Sequence, residues 1–498
     1  MHSITAENSG QAPAQARSRR EWIALALLTL CAVLVRLPFL GDHNADIDEQ
    51  LYALIGAQMW EGQLPFSDLW DRKPFGLFLI YALAAGTGLP APWSYQLLAT
   101  AFIVLGAWLL RRLARHVTDH ATATGAAIIY IVLMSIYGSH SAQTEAFHVP
   151  AMLAMALLVR DQGHPAAVRR AFWAMLIGGV ALQVKYTVLP QCAFFGAWVL
   201  WGQYRQGRSL GGIAAMAAGF AVAGLLPTVM VGLFYAAVGE WDAFWFANFV
   251  SFFDRLPAGD SRFIGEQLLF ISPMLALMAF GLYAAFRMRG PDDWATYRFY
   301  WLFLAASFVT VYFPSSIYNY YFAALVPGVL LVALPFLDRR GPGKFVPLVL
   351  AGAGCFALLY YPNRIEASQD HRAAMSALSD AIAPHVGAER DCLWVFDGST
   401  ALYQTTGSCL PTRFIYPDHL NNALERDALG IRQIDEVRRI LAKKPPVVVT
   451  ADRPFTAQNP ETLDYVKAAI QRDYVKLQTE EIHDRRLTAW LRKERVSD

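Results

Sequence analysis

The chain has 498 residues, of which 55% are apolar and only 16% charged, and its mean hydropathy is +0.31. Soluble domains carry about a quarter charged residues, so this balance excludes an ordinary water-soluble enzyme and fits a membrane protein. The formal net charge of +2 gives no electrostatic footing for a nucleic-acid partner, so the informative feature is where Lys and Arg fall along the chain.

Residues 1–16 are polar and read as disordered, within a cytoplasmic N-terminus of residues 1–21. Trp22 to Leu40 follows Arg17, Arg19 and Arg20. It is about as long as a spanning helix requires and ends without a small-x-small cleavage site, so it reads as a retained span rather than a signal peptide. Against a bilayer core of ~30 Å, about eleven apolar windows qualify as spans. They are 22–40, 93–110, 121–138, 146–160, 171–188, 189–202, 211–236, 266–286, 299–314, 320–337 and 344–361.

A further stretch, 74–90, is shorter and rich in Gly and Ala, and loop charge decides its place. The basic clusters are Arg17 to Arg20, Arg111-Arg112 with Arg115, Arg160 with Arg169-Arg170, Arg205 with Arg208, Arg287 with Arg289 and Arg298, and Arg339-Arg340 with Lys344. If 74–90 does not cross, all of them lie on the cytoplasmic side, as the positive-inside rule requires; if it crosses, the later clusters switch sides. The expectation is therefore a transmembrane domain over 22–361 with a large first outer loop, 41–92, in which 74–90 is juxtamembrane. An odd number of spans puts the tail, 362–498, on the outer side too.

That tail is more polar, with apolar runs of soluble length, and reads as a small α/β domain. Strands are expected at Cys392 to Phe396 and Val447 to Thr450, and helices at Ala373 to Ala383, Asp435 to Ala442 and Thr462 to Gln471. Cys31, Cys192 and Cys355 lie in apolar stretches and pack as small hydrophobes, whereas Cys392 and Cys409 lie in the tail, as a disulfide or as two free thiols. No cysteine spacing suits a metal.

The first outer loop carries the densest chemistry. It begins Asp46-Ile47-Asp48-Glu49-Gln50-Leu51-Tyr52, three carboxylates in four positions just after a span. Carboxylates at a membrane boundary are costly unless solvated or used. A helix starting here would run to Glu61-Gly62, and a plain alternative is that Asp46 or Asp48 is only its N-cap. Pro65-Phe66-Ser67-Asp68-Leu69-Trp70-Asp71-Arg72-Lys73-Pro74 follows, with two adjacent cations that serve a bound anion or simply snorkel to lipid head groups.

Asp-Glu-x-x-Tyr, a helix, Gly-x-x-Pro-Phe-x-Asp and then Lys-Pro before an apolar stretch resembles family 39 of the membrane-embedded C-type glycosyltransferases. This is the protein mannosyltransferase and aminoarabinose transferase type, with its galacturonosyltransferase-like branch. Gln143-Thr144-Glu145 resembles the acidic second outer loop of that family, Val184-Lys185-Tyr186 its lysine after the fifth span, and Tyr320-Tyr321 with Pro327 its aromatic entry to a late span. In the tail, Trp394-Val395-Phe396, Tyr403 and Pro411-Thr412-Arg413 resemble the soluble domain of the same branch.

The resemblance implies an inverting transfer on the periplasmic side of a bacterial inner membrane, from a polyprenyl-phosphate-linked sugar to a lipid, glycan or protein acceptor. An inverting displacement needs one carboxylate as base, and Asp48 is the candidate, with Glu49 beside it. The leaving phosphate needs fixed positive charge, for which Lys73, Arg72 and Lys185 are candidates; Glu145 and Tyr52 are expected to support the sugar. The chain has no Gly-rich phosphate loop. Two positions depart from the aminoarabinose transferase pattern: Leu51 stands where that type has Arg, and Arg72 where it has a Glu that helps bind a metal. No cofactor is certain, and a divalent metal stays an open alternative. His140 and His148 flank Glu145 and read as structural or as metal ligands.

The loop from Glu240 through Trp241, Phe244 and Trp245 to Arg262 alternates aromatics with charge. It reads either as an interface belt or as a lid that brings Arg255 or Arg262 to the phosphate. Rival functions are a transporter or flippase of a lipid-linked sugar, which would place charges at mid-membrane in repeated halves, and a ligase acting on lipid-diphosphate oligosaccharides.

Overall fold

The computed structural model describes residues 11–256, 262–288, 290–314, 317–341, 343–360 and 364–496, apart from the side chains of 11–18 and 262–264. Helix α1 (Gln11–Arg36) is followed by the outer-loop helices α2 (Ile47–Gln58) and α3 (Phe75–Ala85). The bundle continues with α4 (Trp93–Ala114), α5 (His120–Met134), α6 (Thr144–Val159), α7 (Ala167–Leu182), α8 (Leu189–Arg205) and α9 (Leu210–Ala237). The short α10 (Trp241–Trp245) and α11 (Ser251–Asp254) precede α12 (Arg262–Arg287), α13 (Trp294–Tyr312), α14 (Val326–Leu337) and α15 (Val346–Leu359).

Each of the expected windows holds one helix. Among the described residues six helical stretches are long and apolar enough to cross a membrane, and the chain is a membrane protein. Helix α9 shows why. Val222, Leu225, Val229, Met230 and Leu233 stand exposed along it, and an apolar face of this size is stable only against lipid or another apolar surface. By contrast α3 has 11 residues and reaches ~17 Å, about half a bilayer core.

Ion pairs tie the basic loops to one end of the bundle. Glu21 of α1 binds Arg111 in the last turn of α4 and Arg115 just after it, at 2.5 and 2.7 Å. Asp119 holds Arg339 at 2.9 Å, and Thr118 donates to Asp338 at 3.2 Å. The first outer loop lies at the opposite end, where the tail meets it.

In the tail, α16 (Arg364–Ile382), β1 (Trp394–Val395), α17 (Leu402–Thr405), α18 (Pro417–Asn421), α19 (Gln433–Ala442), β2 (Val447–Ala451), α20 (Pro460–Asp473), β3 (Tyr474–Ile482) and β4 (Arg485–Arg492) follow in order. The sheet order is β1-β2-β4-β3, with β1 parallel to β2 (Trp394 opposite Val448) and the other pairs antiparallel (Val449 opposite Ala489). All three expected helices and both expected strands are present. Strands β3 and β4 were not anticipated, because Lys476, Glu480, Glu481, Arg485 and Arg486 interrupt their apolar alternation. Cys392 and Cys409 form a disulfide, which closes the loop between β1 and the end of α17.

The tail sits on the first outer loop through buried polar contacts. Ser399 Oγ donates to Gln50 Oε1 at 2.8 Å, Trp70 N to the Arg413 carbonyl at 2.9 Å, and Arg372 to the Leu40 carbonyl at 2.9 Å.

Candidate active site between the first outer loop and the tail

Asp46 caps α2: in extended conformation, its carboxylate accepts from Asp48 N at 2.9 Å. The cap was the plain reading of this motif, and it belongs to Asp46, which leaves Asp48 free for other partners. Asp48 and Glu49 are successive residues of one helix and so point about 100° apart. The two carboxylates accordingly meet different surroundings.

Glu49 turns inward and is 1% exposed. It accepts from Ser141 Oγ at 2.5 Å and from Ala142 N. Beside it lies the fully buried Arg36, whose guanidinium binds Thr100 Oγ1 at 2.8 Å and the Ser139 and Ser141 carbonyls. Burial, and after it the charge of Asp46, pushes the Glu49 carboxyl well above the usual carboxylate range. Through these contacts Glu49, expected as a second catalytic carboxylate, staples α2 to the segment before α6.

Asp48 lies against the wall of a cavity of about 140 Å³: its neighbours Lys73, Tyr320 and Tyr416 line that cavity together with Lys185, Arg255 and Glu425. Its side chain keeps 20% exposure. It accepts from Tyr416 Oη at 2.9 Å, from Gln143 Nε2 at 3.3 Å and from Tyr320 Oη at 3.4 Å, and Lys73 Nζ stands 4.0 Å away. Burial opposes the charge of Lys73, but Asp48 and Asp71 outweigh it and hold its pKa above the ordinary lysine value. Asp71 also accepts from Lys73 N at 2.7 Å, which fixes the loop that presents the ammonium. Tyr416 is raised well above its usual value by burial and by Asp48, so it stays a hydroxyl donor.

Tyr320 owes its place to Gly138. That glycine has φ +94°, and a β-carbon there would lie 2.5 Å from Tyr320 Cβ, so any side chain would push the ring away.

The other expected residues divide between this cavity and its walls. Lys185 lines the cavity, is paired with the buried Glu145, and has its ammonium 3.6 Å from the centre of the Tyr321 ring. Tyr52 is buried against Phe78 and Tyr81, with Lys73 5.6 Å above its ring. Arg72 lines the cavity in a forked ion pair with Glu425 of the tail. Glu425 also binds Arg255 at 2.6 Å, and the two arginines outweigh its burial and draw its pKa down to about 2. Arg255 reaches Tyr318 Oη at 2.7 Å, so the aromatic loop that begins at Glu240 does deliver a cation here; the side chain of Arg262 lies outside the described residues.

Tyr416, Glu425, Asp71 and Gln143 were not singled out from sequence. Gln143 and Asp71 sit inside quoted motifs, whereas nothing local marks the two tail residues.

A divalent metal does not fit these residues. Asp48 is met by tyrosine hydroxyls and an ammonium, Glu145 is neutralised by Lys185, and Arg72 puts a cation where a ligand would be needed. Among the described residues no three His, Cys, Asp or Glu side chains converge as an ion's ligands. His140 binds the Ala45 carbonyl at 2.9 Å, and His148 lies 3.9 Å from Glu145.

A helical membrane bundle, a large first outer loop bearing two helices, and a tail seated on that loop make up the fold of the membrane-embedded C-type glycosyltransferases. Two solved structures carry the comparison, both of ArnT from Cupriavidus metallidurans. The apo form is 15% identical, with a TM-score of 0.64 over 94% of this chain and 97% of that one. The form bound to undecaprenyl phosphate is 15% identical, with a TM-score of 0.61 over 94% and 98%. No family model and no curated protein matches the sequence. The fold expected from the sequence resemblance is therefore the fold found.

Proposed function

We propose that the protein is an inverting glycosyltransferase of the family 39 type, which moves a sugar from a polyprenyl-phosphate carrier to an acceptor on the periplasmic face of a bacterial inner membrane. The observation that carries this reading is the apposition of one solvated carboxylate, Asp48, and one ammonium, Lys73, 4.0 Å apart at a cavity lined by further cations.

An acceptor hydroxyl or amine attacks the anomeric carbon. Asp48 takes its proton while the bond to the carrier's phosphate oxygen breaks, and the electron pair leaves on that phosphate. Lys73, with Arg255 and Lys185 on the same wall, balances the departing charge in a site where water is scarce and fixed charges act strongly. Tyr320 and Tyr416 orient the Asp48 carboxylate. The fold shared with a protein whose structure holds undecaprenyl phosphate supports the choice of carrier. A transporter of the same lipid-linked sugar is disfavoured by where the charges gather, at the bundle's outer end rather than at its midplane.

In this reading eleven helices cross, the basic loops face the cytoplasm and the tail faces the periplasm, where its disulfide is stable. Radiolabelled polyprenyl-phosphate sugar added to membranes tests the chemistry: Asp48→Asn should insert normally and transfer nothing, and wild-type turnover in that variant sinks the assignment. Topology has its own test. Lys476→Cys, on the exposed face of β3, should react in intact cells with a membrane-impermeant thiol reagent, and protection there overturns the placement of the tail.

A further inference from the structure

One carboxylate of the tail holds two arginines that come from two different outer loops. Glu425 Oε1 accepts from Arg72 Nη1 at 2.9 Å and from Arg255 Nε at 2.6 Å, and its Oε2 accepts from Arg72 Nη2. All three side chains line the cavity that Lys73 lines. Arg72 is also one of the two departures from the aminoarabinose transferase pattern, so in this chain the cation at that place comes with a tail carboxylate that answers it.

Glu425 is itself firmly presented. It ends a short 3₁₀ turn, Ala423–Glu425, which Asn422 caps by accepting from Leu424 N at 2.9 Å. Gln433 Nε2 donates to the Asn422 carbonyl at 3.0 Å and ties the turn to α19. The loop that carries Arg255 is fastened to the same stretch of the tail: Leu256 N donates to the Leu424 carbonyl at 3.1 Å, and Ser251 Oγ to the Ala428 carbonyl at 2.6 Å. Trp70, two residues before Arg72, packs against Phe246 of that loop and Phe414 of the tail, with ring centres 5.4 and 6.1 Å away. The tail therefore grips both arginine-bearing segments and does not merely rest on the first loop.

Charge explains what the grip achieves. Two guanidiniums bonded to one oxygen repel each other, and the charge of the carboxylate between them keeps them together. A guanidinium has five N–H donors, and the bonds to Glu425 and Tyr318 use two on each arginine, so each keeps donors for an oxyanion. Two cations and one carboxylate leave a single positive charge, which matches the single negative charge of a sugar-bearing phosphodiester.

We propose that Glu425 is a positioning residue of the donor site: it sets Arg72 and Arg255 side by side so that together they take the phosphate of the lipid-linked sugar, and the seated tail thereby completes that site. The proposal rests on the glycosyltransferase reading above.

The test uses the full chain in lipid nanodiscs, with undecaprenyl phosphate titrated and read by native mass spectrometry, beside transfer from a radiolabelled polyprenyl-phosphate sugar. Glu425→Gln keeps the size of the side chain and removes its charge. Affinity for undecaprenyl phosphate should fall about tenfold, and KM for the donor should rise by a similar factor, more than kcat falls. A purely structural role would lower the folded amount and leave the affinity of the folded fraction unchanged. A carboxylate that only competed with the phosphate for the arginines would make the variant bind more tightly. Either result overturns the proposal. Should Glu425→Gln fail to fold, Arg255→Lys decides. It keeps the charge on the loop, but one ammonium does not reproduce the planar fork that joins Glu425 to Tyr318, so a similar loss is expected, and wild-type affinity overturns the proposal. A wild-type protein that binds no undecaprenyl phosphate overturns the donor reading as well; wild-type binding that Glu425→Gln leaves unchanged overturns this proposal alone.

Discussion

Asp48 and Glu49 are neighbours in sequence with the same functional group, and they differ in nearly every physical respect. Glu49 is sealed among groups that satisfy it, with Ser141, Ala142 and Arg36 around it. Asp48 keeps 20% exposure, accepts from two tyrosines and a glutamine at 2.9–3.4 Å, and has its cation at 4.0 Å rather than in contact. A sealed carboxylate serves the fold, since replacing it strands buried donors. A loosely held carboxylate beside a cavity is free to take a proton and to approach a substrate. The two lysines of the cavity wall are also held differently: Lys185 is in direct contact with Glu145, whereas Lys73 stands 4.0 Å from Asp48.

The comparison can be broken in several places. Asp48→Asn should cost about 10²–10⁴-fold in transfer, the usual contribution of a general base, with thermal stability in detergent unchanged. Lys73→Ala should lose about 10²-fold, because an ammonium aimed at the leaving phosphate acts mainly in the transition state. Tyr416→Phe removes one hydrogen bond to a charged group, and about a tenfold loss in kcat is expected, with the apparent affinity for donor unchanged. Glu49→Ala should reverse the pattern. It should destabilise the protein by about 1–3 kcal/mol, through the stranded donors Ser141 and Ala142, while the folded fraction turns over within a few-fold of wild type. Activity per folded molecule, with folding read by fluorescence-detected size exclusion, separates these outcomes.

The smallest effect concerns pH. Burial, then the charge of Asp48, raises the Asp46 carboxyl from 3.8 to about 7. A carboxyl raised on folding stabilises the fold while protonated. Its contribution is whole below about 3.8, shrinks as pH rises and is gone above about 7. Asp46→Asn, which keeps the helix cap, should therefore flatten thermal stability against pH across that window. An unchanged slope would show that Asp46 does not titrate there.

Much of the site was legible in the sequence because one loop contributes most of it. Asp48, Lys73 and the helix between them fall within residues 46–74, and local motifs preserve such spacing. The inward turn of Glu49 was not legible, since its partners Ser141 and Ala142 lie 92 and 93 positions away and only packing brings them together. The tail's part was hidden for another reason: Tyr416 meets Asp48 across 368 positions, and Glu425 meets Arg72 across 353, distances at which no periodicity or spacing speaks. In the fold, the apolar windows marked the bundle helices well, because lipid-facing residues need no alternation. Strands β3 and β4 were missed because charged residues stand at buried as well as exposed positions, Arg485 and Arg492 among the buried ones, which leaves only a weak period-two signal.

Transfer of a radiolabelled sugar from polyprenyl phosphate, measured side by side in membranes carrying Asp48→Asn and Glu49→Gln at equal folded amounts, tests the central claim most directly. Glu49→Gln should transfer at a rate near wild type and Asp48→Asn at background. Turnover by Asp48→Asn, or its loss in Glu49→Gln with the fold intact, would contradict the assignment of catalysis to one of these neighbours and structure to the other.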